Sequence, residues 1–321
     1  MKTESQSPFT VDSRRKSRPR PQARPQARTR TRVQDNVFAY LMLAPDLIGL
    51  AIFVFLPILI AFYVSLHDWN ALEPMRYVGF KNYLTLMGDL DWWTSIKTTV
   101  CYSLMFVPLV FGISLLLAVF VNSIPGKFQE FIRTVNFIPF SVSTVVAAMI
   151  WMFVYEEQRG LLNTVLRLFG LPSQAFLGNP NLALLCIAVT SAWMVIGYYA
   201  VLFLAALKDI PVSYYEAARI DGANAPTIFK NITLPLLKEI STFILIVTTI
   251  ASFQVFDQIK VMTNGGPADA TNVSVFYIFQ QCFEFMKLGY ASALAFVLFL
   301  IILILSLLQL KLMRGNKATD F

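Results

Sequence analysis

Leu182-Ala183-Leu184-Leu185-Cys186-Ile187-Ala188-Val189-Thr190-Ser191-Ala192-Trp193-Met194-Val195-Ile196-Gly197-Tyr198-Tyr199-Ala200-Val201-Leu202-Phe203-Leu204-Ala205-Ala206-Leu207 is a run of 26 residues without a charged side chain. Wound as a helix rising about 1.5 Å per residue, it is long enough to cross the roughly 30 Å hydrocarbon core of a bilayer. Five further apolar runs lie on either side, near 38–66, 98–121, 135–155, 240–262 and 291–312. The sequence therefore predicts an all-α membrane protein with six transmembrane helices. Pro45, Pro57, Pro108 and Pro139 fall within or at the ends of these runs, where neighbouring helices or water satisfy the carbonyls they free. Composition agrees: 56% of residues are hydrophobic, mean hydropathy is +0.61, and 14% are charged, against about 25% in a soluble domain.

Charge placement orients the spans. An inner N-terminus puts 19 of the 26 Lys and Arg on the inner side, and the split is still 9 to 7 without the first segment. Both termini are expected in the cytoplasm. Residues 1–36, rich in Arg, Pro and Gln, read as a disordered basic cytoplasmic tail that favours retention and anionic headgroups over nucleic acid. Residues 37–312 read as one six-helix domain, and 313–321 as a short cytoplasmic tail. Trp69, Trp92 and Trp93 fall at the outer edges, where indole rings suit the membrane interface.

Most chemistry is excluded by what is missing. His67 is the only histidine, and Cys101, Cys186 and Cys282 have no paired spacing, so neither a metal site nor a disulfide framework nor a His-dependent triad can be built. No Gly-rich phosphate loop ending in Lys-Ser/Thr occurs. The chain is expected to be no enzyme, with no catalytic or metal residues and no cofactor of its own. Asp257, three residues from Lys260, and Asp46, next to Pro45, read as surface-near ion pairs or interfacial charges rather than proton relays.

The informative polar loop, 208–237, follows the opening run. Tyr215-Glu216-Ala217-Ala218-Arg219-Ile220-Asp221-Gly222-Ala223-Asn224-Ala225 predicts a short helix from Pro211-Val212-Ser213, closed at Asp221-Gly222 because glycine accepts a left-handed cap. A second short helix follows towards Ile232-Thr233-Leu234-Pro235. Together they make a compact helix–turn–helix knob, with small alanines permitting close approach and Glu216, Arg219 and Asp221 offering charge.

This pattern resembles the permeases of binding-protein-dependent ATP-binding-cassette importers, whose loop carries Glu-Ala-Ala, then Gly, then Ile-x-Leu-Pro. Leu43-Ala44-Pro45, Val78-Gly79-Phe80-Lys81-Asn82-Tyr83 and Thr263-Asn264-Gly265-Gly266-Pro267 extend the resemblance to the carbohydrate-uptake class over about 37–312. Within that class the chain is similar to the larger maltose subunit's side of the heterodimer, and closer to the six-span glycerol-phosphate and oligosaccharide permeases. The resemblance implies a type I importer permease in a bacterial plasma (inner) membrane. Its implied partners are a second homologous permease, a cytoplasmic ATPase dimer that uses ATP and Mg, and an extracytoplasmic solute-binding protein. Glu216, Ala217, Ala218, Arg219, Asp221, Gly222 and Pro235 would then form the ATPase-coupling loop.

The solute pathway is less distinct. Ser191, Tyr198, Thr248, Ser252 and Gln254 are polar groups in the fourth and fifth spans, and Thr248 and Ser252 share one helical stripe. Such a stripe can line a cavity or bond to its own backbone. The resemblance places Ser191, Tyr198, Thr248 and Ser252 at sugar contacts of the maltose-type subunit, with several residue types changed. Glycerol phosphate or another polar solute is the alternative cargo. A stand-alone secondary carrier or channel, which would not need the knob, is the leading rival from another class, and a non-transporting membrane anchor for a partner is a further one.

Overall fold

The computed structural model describes residues 40–314, so the expectations for residues 1–36 and for the far C-terminus lie outside the described residues. The described residues are mostly helical. Helix α1 spans Tyr40–Ser65 with a π-helical turn at Ala51–Phe55. A two-residue hairpin, β1 (His67–Asp68) with β2 (Arg76–Tyr77), follows it. Then come α2 (Lys81–Gly88), α3 (Leu90–Asn122), α4 (Lys127–Phe137), α5 (Thr144–Tyr155), α6 (Leu161–Leu168), α7 (Ala183–Lys208), α8 (Val212–Ile220), α9 (Ala225–Leu236), α10 (Lys238–Phe253), α11 (Asp257–Met262), α12 (Ser274–Phe279) and α13 (Leu288–Arg314).

Four of these helices, α1, α3, α7 and α13, are each long and apolar enough to cross a bilayer. The runs expected at 135–155 and 240–262 are not single helices. In the first, α5 has only 12 residues, about 18 Å. It is joined to α4 through a 3₁₀ turn, Ile138–Ser141, and a bend of 102°. Pro139, which lacks an amide donor, sits in that turn. In the second, α10 stops at Phe253, and Gln254 and Phe256 leave helical geometry before α11 begins. Another bend of 68° separates α10 from α9. Counting each bent pair as one span gives six, by length and composition.

The core runs along α3 and α7, which pack side by side and bury Tyr102, Val110, Ala118, Ile187, Ala188 and Phe203. Hydroxyls supply polar contacts between helices, as expected where no hydrophobic gradient separates helix from lipid. Ser114 Oγ donates to Ile196 O (3.0 Å), Ser252 Oγ to Ser103 Oγ (2.8 Å), and Thr99 Oγ1 bonds Ser274 Oγ (2.9 Å). A second cluster around Trp92, Tyr277 and Leu294 joins α3, α12 and α13.

The loop ends sort into two groups. At one end Lys208 Nζ donates to Gln129 Oε1 (3.2 Å), tying the end of α7 to α4. At the other, Asp89 caps α3 by accepting the amides of Asp91 and Trp92, both at 3.1 Å. Its second oxygen accepts the hydroxyls of Tyr277 (2.7 Å) and Tyr290. Asn82 Nδ2 donates to Ser65 O (2.8 Å) and His67 O (3.0 Å), and Tyr83 shares a hydrogen bond with Ser65. The Val78–Tyr83 segment thus closes the end of α1. Thr263-Asn264-Gly265-Gly266-Pro267 closes on itself in the same way. Thr271 Oγ1 donates to Gly266 O (2.7 Å) and bonds Thr263 Oγ1 (2.7 Å), with Gly265 at φ +87° against the Phe276 ring.

Candidate functional site

The loop after α7 folds into two helices set by their caps. Helix α8 ends with Gly222 N–H donating to Arg219 O (3.1 Å) and Ala223 N–H to Ala218 O (2.9 Å), the paired bonds of a Schellman turn. That turn needs a left-handed residue, and Gly222 has φ +78°. Two residues on, Asn224 starts α9: its Oδ1 accepts Thr227 N–H (3.0 Å) and the Thr227 hydroxyl (2.6 Å). Pro226 occupies the first turn, where a missing amide costs nothing. Tyr215 OH and Thr233 Oγ1 share a hydrogen bond (3.3 Å) that braces the helices against each other. A π-helical turn, Phe229–Thr233, directly precedes Leu234-Pro235, so the helix widens where proline removes a hydrogen bond.

The surface of this hairpin mixes charged, small and apolar side chains. Glu216, Ala217, Arg219, Asp221, Gly222 and Pro235 are exposed, and Ala218 is half-buried. Among them stand Val212 (66% exposed), Tyr214 and Ile220 (86% exposed). Apolar side chains held clear of the fold on a rigid, capped scaffold have the composition of a protein-docking surface. Beside it, a cleft of about 510 Å³ is lined by Asp209, Pro211, Tyr214, Leu236, Glu239 and Phe243.

The five pathway candidates divide. Thr248 is fully buried and its hydroxyl donates to Ile244 O (2.7 Å), while Ser252 is spent on Thr249 O (2.7 Å) and Ser103. Their stripe packs α10 against α3. Ser191 is buried with no hydrogen-bond partner for its Oγ, the Tyr102 hydroxyl being the nearby polar group. Tyr198 is half-buried and stacks on Phe140, with centroids 4.5 Å apart and planes at 11°. Gln254 is exposed at the break after α10. The structure therefore does not gather the five into one lining. Asp257 is exposed, and Lys260 pairs with Glu284 (3.3 Å) over the Phe279 ring rather than with Asp257.

Sequence reasoning missed Asp89, Gln129 and Phe140. Asp89 was legible as an acidic residue directly before a helix. The other two act across long sequence separations, which no local pattern reveals.

The comparisons with known proteins agree with this geometry. Residues 110–316 match the family model described as "Binding-protein-dependent transport system inner membrane component". The chain is 36% identical to the probable ABC transporter permease protein YurN of Bacillus subtilis (strain 168), over 88% of this chain and 98% of that one. It is 34% identical to the trehalose/maltose transport system permease protein MalF of Thermococcus litoralis, over 87% of this chain and 94% of that one. A crystal structure of a bacterial ABC transporter that imports the acidic polysaccharide alginate superposes with a TM-score of 0.78 at 22% identity, covering 91% of this chain and 100% of that chain. The match over most of the chain and the capped Glu216–Pro235 hairpin lead to one assignment: the chain belongs to the binding-protein-dependent transport system inner membrane components, the multi-pass permease subunits of ABC importers, which are not enzymes.

Proposed function

We propose that this chain forms half of the translocation pathway for a sugar or sugar-like solute, beside a second homologous permease. The Glu216–Pro235 hairpin docks into a cleft on a separate cytoplasmic ATPase dimer, and an extracytoplasmic solute-binding protein delivers the cargo. ATP and Mg are bound by the ATPase. Closure of that dimer pulls the hairpin, and because α8 and α9 are braced at Tyr215–Thr233 the motion passes as a rigid body into α7 and α10. Six spans with both termini cytoplasmic follow from this reading.

One observation carries the proposal: an exposed apolar and charged hairpin, fixed by the Gly222 turn and the Asn224 cap, joined directly to two core helices. The sugar class is supported by the trehalose/maltose name of a relative 34% identical. The test is solute uptake by vesicles containing the chain, the second permease and the ATPase, with and without vanadate. Vanadate should abolish uptake, and omission of the ATPase should do the same. Persistent uptake without the ATPase would make the chain a stand-alone carrier. Titrating the capture protein with a panel of sugars and glycerol phosphate fixes the cargo.

A further inference from the structure

At the Asp89 end of the molecule, which the proposed function makes extracytoplasmic, two cavities of about 690 and 460 Å³ adjoin. Both have the size of small-molecule sites, roughly 300–1,000 Å³. Tyr277, Gln281 and Lys287 belong to the walls of both. The backbone after α12 sets that shared wall. Helix α12 runs into a π-helical turn, Gln280–Glu284, and Phe285 N–H donates to Gln280 O (2.9 Å). Met286 then takes φ +54°, a left-handed backbone uncommon for a long side chain, and Lys287 N–H turns back to donate to Gln281 O (2.8 Å). Position 287 is thereby brought beside position 281, by a π turn of the kind often found at functional sites.

Gln281 is the informative residue. Its side chain is 6% exposed, and its Oε1 has no hydrogen-bond partner. Asn272, on the wall of the second cavity, also has an Oδ1 without a donor, although its Nδ2 donates to Gln280 Oε1 (3.3 Å). A buried acceptor left unbonded carries a desolvation penalty that a ligand removes by supplying the donor. Asp89 is different, because both of its oxygens already accept hydrogen bonds. It shapes the wall and leaves recognition to the amides.

The charges on the walls select the ligand class. Asp68, Asp89, Asp91 and Asp269 face Lys81 and Lys287 across the two cavities, an excess of acid that disfavours an anion. A cation in either cavity would meet the Lys287 ammonium, which is not ion-paired among the described residues and lies 6.0 Å from the centre of the Phe285 ring. A neutral molecule rich in hydroxyls satisfies both conditions. Its O–H groups donate to Gln281, Asn272 and the exposed Asp91, and its oxygens accept from Lys287.

We propose that these two cavities form an outer binding site for a neutral polyhydroxylated solute, anchored on the amide oxygens of Gln281 and Asn272. The site lies outside the α3–α7 core. It rests on the reading of this end as extracytoplasmic and of the cargo as a sugar, and it adds to that reading a place where solute is held at the outer end of the chain.

The test uses the full chain with its partner permease and ATPase in nanodiscs, without ATP or capture protein and with Cys101, Cys186 and Cys282 replaced by alanine. Single cysteines are introduced by T85C on the first cavity, T94C on the second, and N70C on neither. Maltose and trehalose should slow maleimide labelling of T85C and T94C severalfold and leave N70C unchanged, and glycerol 3-phosphate should protect none of them. Q281L should raise the protecting sugar concentration about tenfold, the loss of one good hydrogen bond, and should melt no lower than wild type because leucine removes an unpaired amide. T94W, at an exposed position, should likewise weaken protection of T85C. Equal labelling with and without both sugars, an unchanged protecting concentration in Q281L, or equal protection by glycerol 3-phosphate would overturn the proposal. Protection by the sugar-free capture protein but by neither sugar would overturn it too, giving the cavities to protein docking. Vanadate-sensitive uptake of the two sugars by the complete assembly in proteoliposomes tests the transport reading separately. Uptake without protection overturns the outer site alone; protection without uptake overturns the sugar-pathway reading and leaves the site standing.

Discussion

At Gly222 and Asp89 single residues decide the geometry of opposite ends of the molecule. No atom stands within 4 Å of the position a Cβ would take on Gly222, so its requirement is conformational, from φ +78° alone. A left-handed backbone costs a branched residue about 1–2 kcal/mol, while asparagine tolerates it. G222N should therefore keep most uptake, G222V should lose much of it, and G222P, with φ fixed near −65°, should abolish uptake and uncouple ATP hydrolysis while inserting normally. Parallel measurement of vanadate-sensitive hydrolysis and solute uptake separates these outcomes. Full uptake by G222P would refute the coupling role. Asp89 is different in kind. Burial opposes its ionisation, but hydrogen bonds from Tyr290, Tyr277 and the amides of Trp92 and Asp91 outweigh that and hold its carboxyl below the ordinary value of 3.8. A depressed carboxylate stabilises the fold at neutral pH, and that contribution is lost only as pH falls through the depressed value. D89N, which replaces one accepting oxygen with a donor, should cost about 1–3 kcal/mol at neutral pH. The gap in melting temperature between D89N and wild type should narrow in strong acid; a constant gap would show that the carboxylate charge is irrelevant.

Among the elements, the straight helices were readable from sequence and the bent ones were not. The opening run predicted residues 182–207 and the helix is Ala183–Lys208, because an uncharged run with one break on each side has one way to satisfy its backbone. Residues 135–155 are equally apolar in the window, yet their path is set by Pro139 and by α4 lying against Gly197, a contact 61 residues distant in sequence that periodicity does not encode. Gln254, likewise, ends α10 without a proline or glycine to announce it. The Glu216–Pro235 hairpin was legible down to its cap because caps are local: Asp221-Gly222 and Asn224 write their geometry into adjacent residues. The pathway was not, since hydroxyls in a membrane helix serve packing or solute with the same residue types, and Thr248 turns out to bond its own helix. Gly197 tests how much the α4–α7 crossing matters. A methyl group there must displace backbone, and overpacking of this sort costs about 1–3 kcal/mol. G197A should lower the melting temperature of the purified chain by several degrees. G112A, on α3 with nothing within 4 Å of its Cβ position, should leave it unchanged. Equal melting of the two variants would mean that the crossing relaxes freely.

For the molecule as a whole, the decisive question is which loops share a side. The Lys208–Gln129 bond joins the end of α7 to α4, while Asp89 joins the start of α3 to Tyr277 and Tyr290, and Gly289 N–H donates to Trp69 O (3.2 Å). These contacts sort the ends of the helices into two sets, and the sorting holds only if both bent pairs cross: α5 must carry the chain from the α4 side to the α6 side, and α10 from the hairpin to the loop before α12. Without α4 and the corner, α5 is about 12 Å short of a 30 Å core, so the crossing depends on the bent pair acting as one unit. Membrane-impermeant maleimide on single-cysteine variants reads this directly. N70C, in the exposed segment after β1, should label in intact spheroplasts, and D221C, at the tip of the hairpin, should label only after permeabilisation. Gln158, between α5 and α6, is the discriminating position. Labelling of Q158C in intact spheroplasts requires that the α4–α5 pair cross the bilayer; labelling only after permeabilisation would make that pair a re-entrant loop, invert α7 relative to α3, and remove the Gly222 turn from the side where an ATPase could reach it.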